Sequence, residues 1–168
     1  QSTADWINSY ITNNDKIALI GNGSIGSKVK SNNITVMKRK HSLNFEEYDT
    51  LIVSVQPEEN KHLINNDILS KFKGKLISVS RSTVIDNEAL LKNIDNISHA
   101  YVDTLDENLR EDLLATGKVT YTKHTAFSHG FSYENNDKYF SELEEHIMDC
   151  LSNTVNKPIL SRQERILF

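Results

Sequence analysis

The chain has 168 residues, of which 38% are hydrophobic, and its formal net charge is −4 at pH 7. This length and composition are typical of one globular domain with a sizeable core. The slight acidic excess argues against a general nucleic-acid surface, which needs clustered Lys and Arg, and no apolar run is long enough to cross a bilayer. The single cysteine, Cys150, cannot form an internal disulfide and indicates a reducing, cytoplasmic setting.

Short apolar runs rich in Val and Ile alternate with stretches of helical spacing along the chain. A first helix is predicted at Asp5–Thr12. Strands are predicted at Ile17–Gly21, Ile34–Met37, Thr50–Val55, Lys75–Ser80, Ile97–Val102 and Lys118–Tyr121. Later helices are predicted at Asp67–Phe72, Asp86–Ile94, Asn108–Ala115 and Asn135–Val155. Because the strand runs lack polar alternation, they indicate an α/β fold with a doubly wound parallel sheet covered on both faces. Ligands of such folds bind at the carboxyl ends of the strands.

A glycine motif follows the first predicted strand: Gly21, Gly23 and Gly26 form a G-x-G-x-x-G turn that also contains Ser24 and Ile25. In a Rossmann-type fold the first glycine permits the tight turn and the second lets the backbone approach a pyrophosphate. The third lets the following helix pack against the sheet. The motif therefore indicates a dinucleotide site on this turn, although a tight strand–helix turn without a ligand remains an alternative.

Two features near this turn are unusual. Only Ser27–Asn33 separates Gly26 from the second strand, so the expected helix has about two turns, fewer than a full crossover usually needs. The second strand ends in Lys38, Arg39 and Lys40 rather than in an acidic residue for the ribose hydroxyls. This basic cluster could accept a 2′-phosphate and favour NADP over NAD, or it could simply be solvated.

Several ordered blocks together resemble the nucleotide-binding domain of the D-isomer-specific 2-hydroxyacid dehydrogenases. "IALIGNGSIG" is similar to the family's glycine turn, and "YDTLIVSVQPEENKHLINNDILSKFKGKLISVSRSTVIDNEALLKNI" is similar to its long signature. "HAYVDTLDEN" and "VTYTKHTAF" resemble the next strand end and the family's T-P-H segment. The resemblance implies NAD or NADP as cofactor, a small 2-oxo or 2-hydroxy acid as substrate, and a homodimer.

The resemblance also implies roles for single residues. Arg81 matches the arginine that binds the substrate carboxylate, and His124 matches the general acid/base. Asp103 matches the residue that contacts the nicotinamide carboxamide, and Val55, Pro57 and Ser80 fall where the family lines the cofactor. No metal ligands are implied.

The sequence departs from the family in three places. Asn108 stands where the family has the glutamate that pairs with the histidine, so Glu107 is the nearest candidate for that role. Lys123 replaces the proline before the histidine. A complete member also has a substrate-binding domain, and here residues 1–157 are expected to form the NAD(P)-binding domain, with 158–168 as a tail returning toward that second domain.

Two functions therefore stay open. The first is the nucleotide-binding half of an oxidoreductase that transfers a hydride between NAD(P)H and a small 2-oxo acid, acting on the CH–OH group. The second is a divergent, weakly active or inactive nucleotide-binding or assembly module. Arg81, Asp103 and His124 favour the first function, whereas the short first helix and Asn108 favour the second.

Overall fold

A computed structural model describes residues 2–37 and 45–129 of the chain, which divides into two compact units at 1–130 and 131–168. Lys38, Arg39, the predicted helix 135–155, Cys150, the expected domain boundary at 157 and the tail 158–168 lie outside the described residues. Within the described part of the chain, no helix is long and apolar enough to span a membrane.

A six-stranded parallel sheet forms the centre of the first unit. Its strands are β1 (Ile17–Ile20), β2 (Ile34–Met37), β3 (Thr50–Val53), β4 (Lys75–Ser78), β5 (His99–Val102) and β6 (Val119–Tyr121). They lie in the order β2-β1-β3-β4-β5-β6, so the order reverses beside β1. The predicted doubly wound α/β fold is confirmed, and each strand falls within the segment predicted for it.

The pairing register brings all six strands to an end at the same level. Ile20 pairs with both Met37 and Val53, Val53 pairs with Ser78, and the series continues through Val102 to Tyr121. Because the strands are parallel, the residues that follow these strand ends meet along one edge of the sheet. Gly21, Arg81, Asp103 and His124 all follow within three residues of a strand end.

Helices and short 3-10 turns cover the two faces of the sheet. One face packs against residues of α2 (Asn66–Leu69), α3 (Asn87–Asn93) and α4 (Arg110–Ala115). The other packs against α1 (Ser2–Asn8) and against the 3-10 turn 126–128, through Trp6, Ile7 and Ala126. Strand residues alternate between the two clusters, with Ala18 in one and Leu19 in the other. Burial on both faces explains why the strands read as continuous apolar runs.

The expected helix after the glycine turn is reduced to one 3-10 turn, Gly26–Lys28. The prediction of about two helical turns is therefore wrong, and the side chain of Asn8 gives the physical reason. Its amide nitrogen donates to the carbonyl of Lys28 (3.3 Å), and its oxygen accepts from the backbone N–H of Lys30 (2.9 Å). Val29 between them is extended and buried, so α1 satisfies backbone groups that a longer helix would have paired internally.

A partly buried ion pair ties the amino end of the sheet to the segment between α1 and β1. The Asp15 carboxylate accepts hydrogen bonds from Lys75 Nζ (2.6 Å), Thr12 Oγ1 (2.6 Å) and Thr50 Oγ1 (3.0 Å). Lys75 Nζ also donates to the carbonyl of Tyr10 (2.9 Å). Burial by itself raises the pKa of Asp15, but these hydrogen bonds and the Lys75 charge outweigh it and hold the pKa below its ordinary value of 3.8.

We expect Asp15→Asn to lower the free energy of unfolding by about 1–2 kcal/mol at pH 7, because hydrogen bonds to a charged carboxylate are lost. A lowered folded-state pKa gives stability that is present above the unfolded value and is lost as pH falls through the folded value. The difference from wild type should therefore shrink below about pH 4. Urea unfolding at pH 7 and pH 3 measures it. Asp95→Asn is the matched control, because Asp95 also pairs with a lysine (Lys118 Nζ, 3.8 Å) but is 97% exposed. An equal loss at both pH values would contradict the ionic explanation.

The first glycine of the turn is required by sterics. Gly21 has φ +95°, and a Cβ built there would lie 2.0 Å from the carbonyl oxygen of Ser54. Gly117 has φ +70° but open space around its Cβ position. Gly117→Ala should therefore cost about 1 kcal/mol from left-handed backbone alone, and Gly21→Ala about 2–5 kcal/mol because overpacking is added. Thermal unfolding of both variants measures the difference, and equal losses would show that the Ser54 contact is unimportant.

Candidate active site at the carboxyl edge of the sheet

The glycine turn sits at the point where the strand order reverses. Asn22, Gly23 and Ser24 are exposed there, whereas Gly26 is buried, with the Gly21 carbonyl oxygen 2.0 Å from the position of a Cβ. A Cβ at Gly23 would meet nothing within 4 Å. This open space above an exposed backbone fits the close approach of a pyrophosphate, which is the role that sequence reasoning gave to Gly23.

The loops after β1, β3 and β4 are joined at this edge. Ser54 N–H donates to the carbonyl of Ile20 (2.8 Å), and Val55 N–H donates to Ser80 Oγ (2.9 Å). Ser80 is 4% exposed, so its hydroxyl serves this loop contact inside the protein. Val55 and Pro57 are both partly buried. The structure thus brings Gly21, Val55 and Ser80 together.

Arg81 and His124 meet at the same edge, although 43 positions separate them in the chain. The Arg81 guanidinium Nη1 lies 3.2 Å from His124 Nδ1 and 3.5 Å from Nε2, and both side chains are exposed. A guanidinium only donates hydrogen bonds, so a ring nitrogen that accepts one from Arg81 does so with its lone pair. A cation and a proton carrier therefore face solvent side by side.

The backbone around the histidine is held in an unusual conformation. Lys123 (φ +57°) and His124 (φ +62°) are consecutive non-glycine residues in the left-handed region, at a cost of about 1–2 kcal/mol each. Asp103 offsets this cost by accepting three hydrogen bonds from the turn. Its carbonyl accepts from His124 N–H (2.7 Å), and its Oδ1 accepts from Thr122 Oγ1 (2.5 Å) and Ala126 N–H (2.9 Å). The two bonds to the carboxylate contribute about 1.5–3 kcal/mol each, and the bond to the backbone carbonyl about 1 kcal/mol.

Glu107 is not brought to the histidine. It lies exposed in the turn before α4, and among the described residues no hydrogen bond or ion pair joins it to His124. The neighbouring Asp106 Oδ1 instead accepts from the backbone N–H of Asn108 (2.9 Å). This segment borders a polar groove of about 470 Å³, lined by Lys61, His62, Ser82, Thr83, Asp86, Asn87, Glu88, Asp106, Asn108 and Leu109.

Two residues of the site were not singled out from the sequence. Thr122 binds Asp103, and Thr104 Oγ1 donates to the carbonyl of Ser80 (2.8 Å). A signal for Thr122 was present, since it is the first residue of the "TKH" segment that resembles T-P-H. Within residues 2–37 and 45–129, no group of three or more His, Cys, Asp or Glu side chains is placed to hold a metal ion.

Solved structures with a similar fold are dehydrogenases and reductases. D-lactate dehydrogenase from Lactobacillus jensenii with NAD+ is 20% identical (TM-score 0.61), over 92% of this chain and 59% of that one. D-lactate dehydrogenase from Aquifex aeolicus, complexed with NAD and lactic acid, is 20% identical (TM-score 0.60), over 84% and 55%. The NADPH-dependent glyoxylate/hydroxypyruvate reductase SmGhrB from Sinorhizobium meliloti, with NADP and malonate, is 28% identical (TM-score 0.56), over 67% and 43%.

The chain thus spans roughly half the length of the solved proteins that it resembles. No curated protein matches it in sequence. The model of the "D-isomer specific 2-hydroxyacid dehydrogenase, NAD binding domain" family matches residues 35–126, which is more than half of the chain. The family expected from the ordered sequence blocks is confirmed, and the chain belongs to the D-isomer-specific 2-hydroxyacid dehydrogenases, of which it carries the NAD-binding domain.

Proposed function

We propose that the chain is the nucleotide-binding part of an oxidoreductase that interconverts a small 2-oxo acid and the corresponding 2-hydroxy acid with NAD or NADP. The observation that carries the proposal is the contact between Arg81 and His124 (3.2 Å) at the edge that also bears the glycine turn. The family membership and the NAD- or NADP-bound neighbours support it.

The glycine turn and the loops beside it would hold the dinucleotide. Gly21, Gly23 and Gly26 form the turn, with Ser24 and Ile25 between them, and the open space at Gly23 fits a pyrophosphate. Val55, Pro57 and Ser80 would line the same cofactor. Asp103 would contact the carboxamide through Oδ2, because Oδ1 already accepts two hydrogen bonds. Lys38 and Arg39 would favour a 2′-phosphate and therefore NADP. When bound, the reduced cofactor supplies the hydride.

Arg81 and His124 would act on the substrate. The planar guanidinium of Arg81 suits a 2-oxo acid, because the carboxylate oxygen and the keto oxygen lie side by side and accept a bidentate contact. His124 would donate a proton to the C2 oxygen during reduction and remove it during oxidation. Glu107 would support the histidine only after a movement of its turn, because it makes no hydrogen bond or ion pair with His124 in the described structure.

We further propose a cytoplasmic homodimer. Pairing through this domain is usual in the family that the sequence resembles, and a lone cysteine is typical of a reducing compartment. Sedimentation equilibrium would test the dimer.

A divergent module with little or no turnover is the second candidate. Two observations favour it: among the described residues Glu107 makes no hydrogen bond or ion pair with His124, and the helix after the glycine turn is reduced to Gly26–Lys28. Such a module would retain its fold but bind dinucleotide weakly or not at all. Cofactor binding and turnover therefore distinguish the two candidates.

Titration with NADH and NADPH, followed by nicotinamide fluorescence or calorimetry, should show binding of at least one cofactor. Gly23→Ala should weaken binding about tenfold or more, because a Cβ would occupy the space that a close pyrophosphate needs. Gly117→Ala, in the loop before β6, is the control and should leave binding unchanged. Replacement of both Lys38 and Arg39 by Ala should weaken NADPH more than NADH. A folded protein that binds neither cofactor would exclude the dehydrogenase proposal.

Reduction of glyoxylate, hydroxypyruvate and pyruvate, followed by NADH or NADPH absorbance, tests the roles of the two residues in the protein at its natural full length. His124→Asn should lower kcat about 10²- to 10⁴-fold, because a positioned general acid is lost. Arg81→Lys keeps the charge but loses the bidentate fork, so it should raise KM and lower kcat/KM. Glu107→Gln should change kcat only if its turn moves to the histidine. Unchanged rates in the first two variants would place the chemistry elsewhere.

A further inference from the structure

Two consecutive residues, Asp103 and Thr104, form hydrogen bonds with the loops that carry His124 and Arg81. Asp103, the first residue after β5, accepts three hydrogen bonds from the segment 122–126. The next residue, Thr104, donates from Oγ1 to the carbonyl of Ser80, the residue directly before Arg81 (2.8 Å). Ser80 in turn accepts from the backbone of Val55. One short piece of chain therefore connects the loop of the histidine to the loop of the arginine.

We propose that Asp103 and Thr104 form a bridge that sets the separation of Arg81 from His124, so that Thr104 and Thr122 are positioning residues for the proton-transfer pair. The catalytic meaning of this bridge rests on the function proposed above. The structural part of the proposal does not depend on that function, because the hydrogen bonds join loops of the protein to one another.

The need for such a bridge follows from the exposure of the pair. Arg81 and His124 both project into solvent, so side-chain packing does not fix them. Their separation must come from the backbones that carry them, and the left-handed conformation of His124 is stable only while the turn is held. Asp103 is 4% exposed, and a buried carboxylate binds its donors strongly because water does not compete.

Removing the Thr122 hydroxyl breaks a hydrogen bond of the bridge with the smallest change in side-chain shape. Thr122→Val removes one donor to Asp103 and keeps the side-chain shape, whereas Thr122→Ser keeps the donor. Thr104→Val and Thr104→Ser form the corresponding pair on the arginine side. Thr116→Val is the control at the other end of β6, because its hydroxyl donates to the carbonyl of Leu113 (2.6 Å) and accepts from Lys118 N–H (3.2 Å).

The first measurement needs no turnover. With no other change in the chain, Arg81→Gln should shift the imidazole proton resonances of His124 relative to those of the wild type. Both spectra are recorded at a fixed pH of about 8, at which an ordinary imidazole is neutral. That shift should disappear when Thr122→Val or Thr104→Val is present, and should persist in the Ser variants and in Thr116→Val. The amide of His124 should also exchange at least about tenfold faster in Thr122→Val, because its hydrogen bond to Asp103 opens. Undiminished coupling in both Val variants would overturn the bridge.

The second measurement uses turnover. Thr122→Val should lower kcat about 10- to 100-fold while dinucleotide affinity stays within about twofold, because misplacement of the acid affects chemistry more than binding. Thr122→Ser should restore most of the rate. Equal losses in the Val and Ser variants would contradict a hydrogen-bonding role. If no dinucleotide binds, the proposed function fails. The effect of Arg81→Gln on the His124 resonances still shows whether the bridge exists.

Discussion

The candidate site depends on the register of the parallel strands, which brings all of their carboxyl ends to the same edge of the sheet. Each paired strand stops opposite the end of its neighbour, from Met37 through Ile20 and Val53 to Tyr121. A shift of one strand by a single residue would move its following loop by more than 3 Å and reverse the faces of its side chains. Contacts such as that between Arg81 and His124 therefore depend on register before they depend on loop sequence.

Burial on both faces explains why so much of the fold could be predicted from the sequence. Runs of Val, Ile and Leu mark buried strands such as Ile17–Ile20, which falls within the predicted Ile17–Gly21. The edge strand Ile34–Met37 is only partly buried, but its apolar residues still place it at the predicted bounds. The helix Asn87–Asn93 follows its N-cap Asp86, whose side chain accepts from Ala89 N–H (3.0 Å), a local signal that the sequence carries. The strand runs and this capping residue are both local patterns, so they are readable without the tertiary structure.

The errors and omissions come from contacts between distant residues. The helix after Gly26 is cut short because Asn8, about twenty positions earlier, binds the backbone of Lys28 and Lys30. Thr122 acquires its role only when β5 and β6 place it beside Asp103. Side-chain hydrogen bonds of this kind have no periodicity, and a Thr or Asn in a loop is compatible with many partners. The family resemblance identified Arg81 and His124 as site residues, but it did not identify the hydrogen bonds that position their loops.

The left-handed backbone at Lys123 limits how far this chain can be made to resemble its family. Proline is confined to φ near −65°, whereas Lys123 adopts φ +57°. The T-P-H sequence of the family is therefore incompatible with the turn as it stands here. Consensus design, which restores the commonest family residue at each position, would replace this lysine by proline and would force the histidine turn into a different path. A consensus residue stabilises a protein only where the backbone adopts the conformation that is usual in the family.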